Sequence, residues 1–273
     1  MRKLYFAGVF SLLMLAACAT AVSRTPQIDR GELEAEQKEQ EAIVRQTGKK
    51  DVSAGKTNNR QEMLARLEKV GTPIAKAGRV ICAELRGNSS PCTFPFALDK
   101  DSETDVNAYT DGAKIVVSPA MMHFSDSDDQ LAVVLSHEYA HAIMKHPAKT
   151  QQNASMGGLL GMAADMLAQS QGINTGGALG QFAQQTAVMR YSQSFEREAD
   201  YIGLYLMARA DYPVEEAAKL WRNMARVNPE GVYNSSSHPT SAERYLLLKK
   251  TSAEIKQKQA AGQPLLPERL PEE

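Results

Sequence analysis

Apolar residues recur at helical spacing from Asn59 to Arg86, at Met63, Leu64, Leu67, Val70, Ile74, Ala77, Val80 and Ile81. That period predicts a packing helix, bent near Gly71-Thr72-Pro73. The pattern then shifts. "TFPFALDK" and "VNAYTDGAKIVVS" carry short β-type runs, and "NAYTDGAKIVV" reads as a hairpin turning at Asp111-Gly112. "SDDQ" (Ser127 to Gln130) matches a capping box, with Ser127 as N-cap and Gln130 reaching back. The helix it opens has Leu131, Val134, Leu135, Tyr139, Ala142 and Ile143 on its apolar face and ends at Pro147. Further helices are predicted over Arg190 to Ala210, from Val214 to about Val227, and from about Thr240. The fold class expected is α+β and mainly helical, with a small sheet or hairpin.

Three stretches depart from this regular pattern. Residues 18–58 are polar and charge-rich without a strong apolar stripe, and read as a tether with some helix. Residues 153–187 hold seven glycines and one charged residue, Asp165. They predict two loose helices joined near "GINTGG", either as packed core helices or as a mobile flap over a cleft or a surface facing lipid or unfolded chains. The apolar runs there are too interrupted to span a bilayer. Residues 251–273 read as a polar, disordered tail, which leaves 59–250 as the folded domain.

The chain begins "MRKLYFAGVFSLLMLAAC": two basic residues, an apolar run, then small residues before Cys18. Residues 1–17 thus read as a secretory signal peptide. "LAAC" resembles the bacterial lipobox, which implies cleavage before Cys18 and its acylation, palmitate included, for anchorage in the bilayer. Ala19 stands where an Asp would resemble an inner-membrane retention signal. The expected location is therefore the outer membrane, on its periplasmic face. Export also changes how the other cysteines are read: Cys82 and Cys92 are an even pair in an oxidising compartment, where a disulfide is expected. The alternative, a Cys/Cys metal pair, lacks a second pair to complete it. With 31 Lys and Arg against 32 Asp and Glu, the net charge is −1, so no electrostatic footprint for nucleic acid exists.

The chemistry concentrates in "HEYAH". On a helix, residues four apart are separated by only about 40° and about 6 Å along the axis. His137 and His141 can then converge on one zinc ion from the same face. Glu138, one step on, can take a proton from a water in the open position and later deliver one to a leaving amine. The alternative is a structural pair of histidines. A third ligand has to come from elsewhere. His146 is one residue short of the metzincin spacing. "FEREAD" offers Glu196 and Asp200, again four apart, while Glu198, about 200° round from Glu196, points away. One carboxylate can bind zinc, and its partner can accept the second imidazole N–H of a ligand histidine. The competing reading of "EREAD" is a salt-bridged helix face.

"HEYAH", then "EREAD" some sixty residues on, then "HPTSAER", resembles metallopeptidase family forty-eight, a gluzincin group of zinc endopeptidases, over about residues 60–250. With its lipobox, the chain is more similar to the periplasmic lipoprotein members than to those that span the membrane. The resemblance implies a zincin-like active-site helix and a second zinc-ligand helix. It implies one Zn2+ held by His137, His141 and Glu196, Glu138 as general base, and Asp200 as supporting carboxylate. It further implies that His238 lies near the zinc, either stabilising the oxyanion or binding the metal in a resting state, with Arg244 supporting that region. It places extended substrate along an edge strand at Asn107, Ala108 and Tyr109. The function expected is hydrolysis of misfolded or damaged envelope proteins, with outer-membrane assembly machinery or a sister protease as partner. The alternative is a chaperone-like binder of unfolded outer-membrane proteins with a latent or structural zinc site.

Overall fold

The computed structural model describes residues 23–46, 59–87, 92–100, 105–227 and 241–269. Among these, residues 145–195 cluster as one compact unit, and residues 23–144 with 196–269 as the other. The architecture is mainly helical with one three-stranded sheet.

The larger unit is built on helix α1 (Arg30–Gln46), helix α2 (Arg60–Arg86), a sheet, the short helix α3 (Pro119–Phe124) and helix α4 (Asp128–Ile143). The buried stripe of α2 is Met63, Leu67, Val70, Ile74, Ala77, Ile81 and Leu85. Leu64 and Val80, expected on that stripe, lie off it and are exposed. α2 runs as one helix through Pro73. Its glycines allow close contact: a Cβ on Gly78 would stand 2.2 Å from the Tyr139 ring of α4, and one on Gly71 would stand 2.5 Å from the Phe96 ring.

Strands β1 (Phe96–Leu98), β2 (Ala108–Thr110) and β3 (Ile115–Val117) are ordered β1-β3-β2. β1 runs parallel to β3 and β2 antiparallel to it, pairing Ala108 with Val117 and Thr110 with Ile115. The hairpin turn is closed by Asp111, whose Oδ1 accepts from the backbone N–H of Ala113 and Lys114 at 2.8 and 2.9 Å. Gly112, at φ 89°, supplies the left-handed residue the turn needs. β2 is an edge strand, and Tyr109 on it is exposed.

The start of α4 is fixed from two sides. Ser127 Oγ accepts from Gln130 N, and Gln130 Oε1 accepts from Asp126 N rather than from the cap residue itself. From α2, Arg66 donates to the carbonyls of Met122, Ser125 and Ser127 and to Asp128 Oδ1, at 2.6–2.9 Å. A disulfide joins Cys82 to Cys92, and Tyr139 Oη donates to Cys92 O at 2.9 Å, tying that loop to α4. After Ile143 the chain turns through Lys145, in the left-handed region at φ 56°.

Residues 145–195 hold helix α5 (His146–Ser170) and the first part of helix α6 (Ala178–Arg209). The two helices touch through glycine: a Cβ on Gly161 would meet Gly180 Cα at 2.3 Å. Asp165 Oδ2 accepts from Gly180 N and Oδ1 from Leu179 N, across the loop. Leu159, Met162, Met166, Leu167, Ile173 and Phe182 are exposed, so this pair is not a packed core. No helix among the described residues is long and apolar enough to cross a membrane.

Helices α7 (Glu216–Val227) and α8 (Ala242–Ala260) complete the larger unit. Here two expectations fail. α8 continues past residue 250 with Thr251, Ser252 and Ile255 buried, and Leu265 and Leu266 pack on the core. Glu268 N donates to Tyr201 Oη, so the segment to 269 is not a disordered tail. The described part of the expected tether, 23–46, is packed as well. Ser23 pairs with Arg269, and α1 lies along α7 and α8. It is held by ion pairs, Glu32 with Lys250 and Glu36 and Glu39 with Arg222, which a search for an apolar stripe passes over.

Candidate metal centre

Two helices bring the site together. His137 and His141 lie on α4, one turn apart, and both are buried. Glu196 and Asp200 lie one turn apart on α6, also buried. The helices meet closely because Gly203, one further turn along, has no side chain: a Cβ there would be 3.3 Å from both His137 N and Cα. Glu196, Asp200 and Gly203 share one helix face.

The donor atoms converge. His137 Nε2 and His141 Nε2 are 3.1 Å apart, Glu196 Oε2 is 3.3 Å from the first, and Glu196 Oε1 is 3.3 Å from the second. Ligands placed tetrahedrally at about 2.0–2.1 Å from zinc stand about 3.3 Å from each other, so this set fits such an ion. The charge fits too. Glu138, Glu196 and Asp200 are buried carboxylates and Arg244 a buried guanidinium, which with neutral imidazoles leaves two negative charges for a divalent cation to balance. Among the described residues, His137, His141 and Glu196 are the group that could hold a metal.

The support behind the donors is ionic. His137 Nδ1 stands 3.0 Å from Asp200 Oδ1, an arrangement that orients a ligand imidazole. Arg244 clamps Asp200 through two bonds, Nε to Oδ2 at 2.7 Å and Nη2 to Oδ1 at 2.8 Å. Its third nitrogen, Nη1, lies 2.8 Å from Glu196 Oε2. Arg244 is delivered by the first turn of α8, where its N–H donates to the N-cap Ser241 Oγ. Burial alone would push the Asp200 carboxyl up, but Arg244 and His137 outweigh it and hold it below the usual range. Burial likewise pulls the His137 imidazole down, yet Asp200 and Glu196 raise it to about 9. The pocket thus favours positive charge at the point where the two imidazoles meet.

Two residues of this assembly carry no sequence signal that links them to "HEYAH". The Trp221 ring lies 5.6 Å from that of His137, edge to face, and the Arg244 guanidinium stacks on Trp221 at 4.2 Å. Gly203 is the other. In the sequence, Trp221, the one tryptophan of the chain, and Gly203 each stand only as residues within a predicted helix.

Other expected residues stand elsewhere. His146 stacks on Phe195, with ring centroids 4.5 Å apart, and is not in the donor group. Glu198 points away from the donors, as its spacing requires, but it is fully buried and its Oε1 accepts from Ser23 N at 2.6 Å. Ala108 and Tyr109 lie on the edge strand β2 beside α4, and Asn107, just before it, donates its N–H to Ser118 Oγ. His238 and Cys18 lie outside the described residues.

Comparison with known proteins gives the same motifs a family. The chain is similar to the mitochondrial metalloendopeptidase OMA1 of Saccharomyces cerevisiae, at 34% identity over 152 residues that cover 53% of this chain and 43% of that protein. It is similar to the beta-barrel assembly-enhancing protease of Yersinia pestis, at 25% over 149 residues, covering 52% of this chain and 30% of that one. The protein of that name from Escherichia coli O157:H7 is 29% identical over 131 residues, covering 46% and 27%. The chain spans less than half the length of these curated relatives. Residues 81–252, well over half of the chain and including every donor described above, match Peptidase family M48, and the chain belongs to that family.

Proposed function

We propose that this protein is a zinc endopeptidase, lipid-anchored through Cys18 on the periplasmic face of the outer membrane, which hydrolyses misfolded or damaged envelope proteins. The observation that carries the reading is the convergence of His137, His141 and Glu196 with Glu138 buried beside them. A zinc ion on those three residues supplies Lewis acidity toward a peptide carbonyl and makes water nucleophilic near neutral pH. Glu138 accepts the proton of the attacking water and returns it to the leaving amine nitrogen. Asp200 fixes the orientation of His137, and Arg244 holds Asp200 and Glu196 in place. The unpaired side of β2 binds an extended segment by main-chain hydrogen bonds, which selects disorder rather than one side chain. His238 adds an N–H or a positive charge toward the oxyanion.

The lipobox supports the anchor, and two relatives named for β-barrel assembly support an envelope setting with the assembly machinery as partner. The test is Glu138→Gln. The variant keeps its zinc and fold and loses at least about 100-fold in hydrolysis of an unfolded casein. Full activity in that variant overturns the mechanism.

One observation favours a second reading. The exposed Met162, Met166, Leu167 and Phe182 suit a binder of unfolded chains. A chaperone-like role predicts that Glu138→Gln still suppresses aggregation of an unfolded outer-membrane protein, and that Met166→Gln with Phe182→Gln does not.

A further inference from the structure

In the segment between the expected lipid site and the peptidase domain, the described residues 23–46 are fastened to the larger unit along their length. Glu198 sits on α6 between Glu196 and Asp200 but on the opposite side of the helix, fully buried. A buried carboxylate needs donors, and one of them is Ser23 N, at 2.6 Å. Ser23 pairs antiparallel with Arg269, and Arg24 N donates to Glu268 O at 2.9 Å. Beyond this point α1 lays Glu32, Glu36, Gln40 and Ile43, one residue per turn, on the domain. Arg222 of α7 reaches Glu36 at 2.9 Å and Glu39 at 2.8 Å while stacking on Tyr245 at 3.9 Å. Lys250 of α8 reaches Glu32 at 2.7 Å. Glu36 and Gln40 are themselves buried, and with Ile43 they line a small cavity shared with Trp221 and Arg244.

This changes how far the site can stand from a membrane. A free tether from Cys18 to Asn59 would have a root-mean-square reach of roughly 35 Å and could extend much further. If the chain is already fixed at Ser23, five residues remain, and fully extended they span at most about 18 Å. We infer that residues 23–46 form a belt that holds the peptidase unit at the bilayer surface, and that its substrates are membrane-associated chains, cut in segments emerging next to the lipid rather than in free solution. The inference rests on the lipid anchor proposed above and extends the substrate class proposed there.

The test uses the full acylated protein in vesicles of phosphatidylethanolamine and phosphatidylglycerol. A fluorophore on Gln257→Cys, exposed on α8, reports height above the bilayer through energy transfer to a headgroup acceptor, which does not depend on activity. One variant carries twenty Gly/Ser residues after Thr20, and a second carries the same insert after Lys50. The belt predicts that the first insert markedly weakens transfer and the second leaves it unchanged. It also predicts that a reporter with an unfolded segment beside its lipid anchor is cut faster than the same segment in solution, and that the insert after Thr20 alone erases this preference. Equal loss of transfer with both inserts overturns the belt. Failure of Cys18 to take up labelled palmitate overturns the anchor instead, and is read separately from the transfer measurement. Cleavage of the two reporters at equal rates by the uninserted protein overturns the substrate class.

Discussion

Gly203 lies against the backbone of His137, so closely that a Cβ on it would stand 3.3 Å from both N and Cα of that residue. The contact sets the spacing of the two ligand helices. A Cβ there would push the neighbouring backbone by a few tenths of an ångström, and a larger side chain by more, so the glycine favours the close crossing that brings Glu196 to the imidazoles. Gly203→Val should therefore separate Glu196 from the histidines and lower zinc affinity by at least about tenfold, with Gly203→Ala intermediate. Zinc titration against a chelator, with helicity checked by circular dichroism, reads the effect. Unchanged affinity in the valine variant would show that the crossing does not set the site.

Asp200 stands between His137, 3.0 Å from its Nδ1, and Arg244, whose Nε lies 2.7 Å away. Asp200→Asn should cost about 10–100-fold in zinc affinity. Arg244→Met leaves two buried carboxylates without their cation and should also lower stability, by about 3 kcal/mol or more. Urea unfolding of the two variants beside zinc titration separates the roles: the asparagine acts mainly on zinc and the methionine on both.

Asp128 ties α4 to α2 through Lys69 and Arg66, at 2.8 and 2.9 Å, and these bonds hold its carboxyl below the usual range. A carboxyl lowered in the folded state contributes stability above its unfolded pKa, and that stability is lost as pH falls through the lowered value. The groups are partly exposed, so the contribution is about 1 kcal/mol or less. Asp128→Asn should be less stable than the parent at pH 7, and the difference should shrink as pH falls below the ordinary carboxylate range and through the lowered value. A constant difference across that range would assign it to something other than the charge.

The Cys82–Cys92 disulfide closes a loop whose carbonyl at Cys92 receives the Tyr139 hydroxyl. Replacing both cysteines by serine should cost about 2–3 kcal/mol. Tyr139→Phe should cost about 1 kcal/mol. Equilibrium unfolding of the two variants measures both.

Much of the site was legible because its geometry follows from helical periodicity alone. The i, i+4 pairs His137 with His141 and Glu196 with Asp200 each had to share a face, and Glu198 had to leave it. The hairpin was legible from Asp111-Gly112, where turn chemistry is local. What was not legible depends on contacts between distant segments. Nothing near Gly203 or Trp221 in sequence announces His137. The 23–46 segment looks like a solvated tether because its domain-facing stripe is mostly polar, and the partners of Glu32 and Glu36, Lys250 and Arg222, lie some two hundred residues away. The continuation of α8 was missed for a related reason: its buried face after Leu248 opens with Thr251 and Ser252, small polar residues that periodicity counts as exposed, before Ile255 resumes the apolar stripe.

If three residues from two helices hold one zinc ion, the zinc content of the purified protein, with Cys18 replaced, should be one per chain. In Glu196→Ala and His137→Ala, each still folded, it should be lost or strongly weakened. Full zinc retention in Glu196→Ala, or none in the parent after reconstitution, would contradict the three-residue site.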